Sequence, residues 1–76
     1  FYGDFREQSV ITRGLKDAMH HAPKWKELDP DMQEALDQIM SKVSRVLNGN
    51  PNYVDNWHDI QGYASLIEKS LTEETM

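Results

Sequence analysis

The sequence predicts an all-α domain of three helices, the last two forming a C-terminal hairpin, with further association between copies. Three observations predict it. Apolar residues recur at 3–4 spacing from Met32 through Leu47, the period of one helix face. Asp29-Pro30 and Gly49-Asn50-Pro51 punctuate that run at both ends. No stretch alternates apolar and polar residues with the period of two that a strand requires.

The first helix is expected to start at Asp4, whose carboxylate can cap the orphan N–H groups while Glu7 closes a capping box. Ile11, Leu15, Ala18, Met19 and Ala22 then form an apolar stripe. Gly14 sits at its edge, where it costs about 1 kcal/mol relative to alanine and permits close approach of another backbone. Pro23 stops the helix near His21. His20 and His21 are expected to cap its negative end. Between Ala22 and Leu28 the chain is a connector, with Trp25 and Leu28 folding back as lids on the core.

The second helix has Asp29 as N-cap, Pro30 in the first position and Asp31 in the first turn, where negative charge meets the positive helix end. Gly49 is expected in the left-handed position after the helix, and Pro51 blocks continuation. The third helix is expected from Tyr53 or Val54 to about Leu71, with Thr72 to Met76 frayed. Trp57, Ile60, Ala64, Ile67 and Leu71 form its principal apolar face, while Asp55, Asp59, Gly62 and Leu66 share a second strip with Tyr63 between the two.

Residues 1–76 read as a single domain near the size at which one hydrophobic core is only marginally stabilising, so a partner chain is expected. Hydrophobic content of 38% with 28% charge and helical periodicity argues against disorder. The chain has no cysteine, which excludes disulfides, zinc–thiolate sites and a cysteine nucleophile, and fits a reducing cytoplasm. No apolar run approaches the ~20 residues needed to span a bilayer, and FYGDFREQ has no signal-peptide core. The sequence opens on Phe1 rather than methionine, so residues ahead of it are expected in the full protein. Thirteen acidic against eight basic residues give a formal charge of −5, the wrong sign for duplex nucleic acid.

In an antiparallel hairpin about Asn50 and Pro51, paired residue numbers sum to roughly 102, which brings Asp59 level with Val43 and Asp55 level with Leu47. Lys42 and Arg45 then come within axial reach of both aspartates. Such a cluster either closes on itself as interhelical ion pairs or binds a ligand. In the second case the basic pair holds a phosphate, while Asp55 and Asp59 hold Mg²⁺ or position a water. Glu34 and Asp37 form another acidic pair, but Glu34 is offset from Asp59 by about 13 Å along the hairpin, too far for a four-carboxylate site. His58-Asp59 lacks the further histidines that a larger phosphohydrolase site would supply, and no serine has a base beside it in the pattern.

The segments YGDF at Tyr2 to Phe5, EALDQIMSKVSRVLNGNPNY at Glu34 to Tyr53 and DNWHDIQGYASL at Asp55 to Leu66 resemble a family of small phage and prophage proteins of uncharacterised function. The resemblance spans nearly the whole chain. More distantly, the family is similar to the MazG-type all-α nucleotide pyrophosphohydrolases and to phage nucleotide-modification-associated domains. It implies a helical, oligomeric protein in the cytoplasm of a bacterial host, acting near nucleotide metabolism, with Lys42, Arg45, Asp55, Asp59 and Tyr63 at the site. Where the pyrophosphohydrolase pattern has two glutamates, this chain has Lys42 and Arg45. A basic pair cannot ligate Mg²⁺, so nucleotide or phosphate binding, or a purely structural ion-pair cluster, is better supported than hydrolysis. The alternative expectation is a non-enzymatic phage factor that binds a host protein.

Overall fold

The computed structural model describes residues 4–74. Tyr2 and Gly3 of the YGDF segment, and the expected fraying at Thr75 and Met76, lie outside them. Helix α1 spans Phe5–His20, a short 3₁₀ turn Trp25–Glu27, α2 Pro30–Asn48 and α3 Val54–Glu74, with no strand among the described residues. The all-α class and the hairpin are as the sequence predicts.

The caps explain the boundaries. Asp4 Oδ1 accepts a 3.0 Å hydrogen bond from the Arg6 backbone N–H, neutralising one orphan donor of α1. At its other end His21 Nδ1 pairs with the Asp17 carbonyl at 2.7 Å. His20, expected as a second cap, instead reaches α2: its Nε2 lies 2.6 Å from Asp37 Oδ1, and its ring stacks at 4.6 Å on Trp25. Gln33 Nε2 donates to the Trp25 carbonyl at 3.0 Å, which fastens the connector to α2.

Asp29 occupies the N-cap of α2 but its side chain makes no cap bond. Asp31 Oδ1 instead accepts from the Met32 N–H at 3.0 Å. Gly49 differs from expectation too: its φ of −138° is negative, so the residue is not left-handed. What favours glycine there is space, since a Cβ would sit 3.1 Å from the Arg45 carbonyl. Helix α3 runs past Leu71 to Glu74, and Thr72 Oγ1 donates back to the Glu68 carbonyl at 2.9 Å.

Helix α2 lies in the middle: α1 and α3 each pack along it and scarcely touch one another. The Cα trace is 12 Å thick in its thinnest direction, less than the roughly 13–15 Å that two stacked helices need. Three helices therefore form one layer. A single layer has no interior on either side, and Ala35 is the only buried hydrophobic residue among those described. The apolar stripe of α2, expected to seal against a core within the chain, is covered along its flanks and open above.

Candidate functional site on the polar face

Side-chain contacts fix how α2 is rotated. Ser44 is fully buried against α1, where it accepts the hydroxyl of Thr12 at 2.7 Å and donates its own proton to the Ser41 carbonyl at 2.7 Å. The Thr12 oxygen also lies 2.9 Å from the Gln8 carbonyl, so its single proton is shared between two acceptors. On the opposite flank Lys42 Nζ pairs with Asp59 Oδ2 of α3 at 2.9 Å. Ser44 and Lys42 are about 160° apart around the helix axis, so α1 and α3 sit on opposite sides of α2. Of the two arcs left between them, one carries Glu34, Gln38, Ser41 and Arg45, the other Leu36, Met40, Val43 and Leu47. The layer is polar on one face and apolar on the other.

The predicted cluster divides on this geometry. Lys42 and Asp59 meet, and their numbers sum close to the expected register. The Lys42 side chain is 16% exposed and that of Asp59 42%, so the pair reaches solvent on the Asp59 side and is screened there. The hydrogen bond from Lys42 holds the Asp59 carboxyl below its ordinary range; desolvation opposes it, and the charge of Lys42 adds to the lowering. Arg45 turns the other way, into a cleft against α1, and its charge is the weakest influence on Asp59. Asp55 is exposed and serves Tyr53, accepting its hydroxyl proton and raising the phenol above its ordinary 10.0. Tyr63 is half-buried in the α2–α3 seam.

Asp55 and Asp59 are the expected Mg²⁺ ligands, but their carboxylates are drawn to Tyr53 and Lys42, and no group of three or more metal-ligating side chains forms among the described residues. Glu34 accepts from Gln38 Nε2 at 2.8 Å and Asp37 is held by His20.

The cleft that receives Arg45 is built mainly by α1. It measures about 310 Å³ and is lined by Phe5, Gln8, Ser9, Thr12, Arg13, Lys16, Ser41 and Arg45. In a chain of net charge −5, this lining has three cations, three hydroxyls and, among the described residues, no carboxylate. Arg13 and Lys16 are the residues that sequence reasoning missed. The signal was there: Ser9, Arg13 and Lys16 recur at spacings of four and three, which puts them on one polar strip of α1.

Compared with protein-family models, with curated proteins and with solved structures, the chain matches none.

Proposed function

We propose that this chain is a nucleotide-handling protein, of the phage kind that its sequence resembles, and that it binds a phosphate-bearing ligand in the α1–α2 cleft. One observation carries the reading: Arg13, Lys16 and Arg45 line one cleft with no carboxylate among the described residues that line it. Guanidinium groups match the oxygen pairs of phosphate, and Lys16 adds a point charge. The hydroxyls of Ser9, Thr12 and Ser41 make the wall polar, with their protons already given to the Phe5, Gln8 and Asp37 carbonyls. Phe5, exposed at the rim, presents a ring on which a base can stack. A cleft of 310 Å³ is of mononucleotide size.

In this reading Arg45 keeps the phosphate role expected of it. Lys42 and Asp59 hold each other on the opposite flank of α2, outside the cleft's lining, and Tyr63, half-buried on α3, does not line the cleft either. A divalent cation, where one takes part, enters with the phosphates rather than on a carboxylate cage, since Mg²⁺ keeps most of its waters and binds through phosphate oxygens. Association between copies belongs to the other face of the layer.

Thermal unfolding against a panel of nucleotides and inorganic triphosphate, with and without Mg²⁺, tests this. A ligand at a hundredfold excess over its Kd stabilises by about 2.7 kcal/mol, a Tm rise on the order of 10 °C in a domain of this size. Arg13→Ala with Lys16→Ala abolishes the rise while helicity is kept, and Lys42→Ala leaves most of it. No shift with any of these ligands removes the proposal.

A second reading, a non-enzymatic factor that binds a host protein, is favoured by the open apolar face. In that case the nucleotide panel is silent and a single host protein is retained on the immobilised chain.

A further inference from the structure

The apolar face of the layer is continuous across all three helices. Around α2 the arc between the Thr12–Ser44 contact and the Lys42–Asp59 contact holds Leu36, Met40, Val43 and Leu47. Antiparallel packing turns the matching arcs of the neighbours the same way: Ile11, Leu15 and Ala18 on α1, and Trp57, Ile60 and Leu71 on α3. Leu47 is 62% exposed and Trp57 53%. Among the described residues no charged side chain falls on the middle of this surface, whereas the opposite face carries the cations of the cleft and the Lys42–Asp59 pair.

We infer that this face is the contact surface for a second copy of the chain, two layers closing face to face into a six-helix dimer with both phosphate clefts on the outside. Area is the first reason. The chain exposes 5926 Å², whereas a compact protein of 8.8 kDa exposes about 4,800 Å². The excess, about 1,100 Å², exceeds the ~800 Å² that each partner buries in a stable interface of standard size.

The second reason is what the face is made of. Its leucines, isoleucines and valine are the residues that would have formed this chain's own core, yet Ala35 alone is buried among the described hydrophobic residues. A chain of 76 residues without an interior does not offset its own ordering entropy. The cover is therefore a condition of folding and must be present wherever the chain is made. A second copy meets that condition at equal stoichiometry. A surface without charge in its centre also fits itself about a twofold axis without placing like charges opposite one another. This inference does not rest on ligand binding, since cleft and contact face lie on opposite sides of the layer.

Sedimentation equilibrium over a concentration series tests it, with two single variants of comparable exposure. Leu47 lies on the apolar face; Leu66, 65% exposed, lies on the polar-side strip of α3 with Asp59. The wild-type chain sediments at twice 8.8 kDa. Leu47→Glu, which would bury an unpaired carboxylate, weakens association at least about tenfold. Leu66→Glu leaves the mass unchanged. Because Leu47→Glu can also unfold the chain, the wild-type thermal midpoint is the second readout: it rises with protein concentration for a folding-coupled dimer and stays fixed for a monomer. A wild-type chain that is monomeric and fully helical at high micromolar concentration overturns the inference, whether or not it captures a host protein. So does a dimer broken by Leu66→Glu and not by Leu47→Glu.

Discussion

Lys42 Nζ and Asp59 Oδ2, on adjacent helices, lie 2.9 Å apart, and this pair marks the flank of α2 that meets α3. With Lys42 held by α3, the next turn of α2 presents Arg45 to α1. Two cations that the sequence places three residues apart thus part company, and only Arg45 lines the cleft.

The pair has a pH signature. Lys42 lowers the Asp59 pKa in the folded state, so its stabilisation is complete above the unfolded carboxyl value, about 3.9, and is lost as pH falls through the depressed folded value. Carbon-detected NMR titration of the Asp59 carboxyl follows it directly. Lys42→Ala moves the midpoint up toward the ordinary value; an unmoved midpoint would show that the pair does not persist in solution.

Tyr53 and Asp55 give the opposite sign. A phenol raised by its hydrogen bond to a carboxylate contributes stability that is complete below the unfolded value, about 10, and disappears as pH rises through the raised folded value. Tyrosinate absorbance, with Tyr53→Phe identifying the relevant component, reads this titration. Asp55→Asn brings the midpoint down toward that of a free tyrosine.

Ser44 tests the α1–α2 seam. It is fully buried and hydrogen-bonded to both Thr12 and the Ser41 carbonyl. Ser44→Ala removes those bonds and costs about 0.5–1.5 kcal/mol. Ser44→Val adds a branch where there is no room, and the overpacking costs about 1–3 kcal/mol. Urea unfolding orders the three proteins wild type, alanine, valine; a valine variant as stable as wild type would mean the seam is looser than the 2.7 Å contact implies.

Gly14 has nothing within 4 Å of where a Cβ would stand. Within this chain it therefore receives no close backbone, and its cost to α1 is uncompensated. Gly14→Ala raises stability by about 1 kcal/mol in urea unfolding. A decrease would place another surface against that position.

The helices were legible because their signals are local. Asp4, Pro30 and Pro51 mark ends through backbone chemistry that acts within one turn, and the 3–4 spacing of Met32 to Leu47 shows which side of α2 avoids water. The Lys42–Asp59 register followed from the same arithmetic. The arrangement of three helices in one layer was not legible, because periodicity says that a stripe is covered without saying by what. That uncertainty also hid the cleft: Arg13 and Lys16 join Arg45 only once α1 is known to pack against the flank of α2 that bears Ser44. The conformation of Gly49 was misjudged because glycine serves both left-handed turns and close contacts, and composition does not distinguish the two.

The most direct test of the phosphate-binding account is an amide and side-chain NMR titration with inorganic triphosphate, which carries the charge without a base. The account predicts saturable shifts at Arg13, Lys16, Ser41 and Arg45, with the Lys42–Asp59 pair little disturbed. Shifts confined to Asp55, Asp59 and Lys42, or none that saturate, would contradict it.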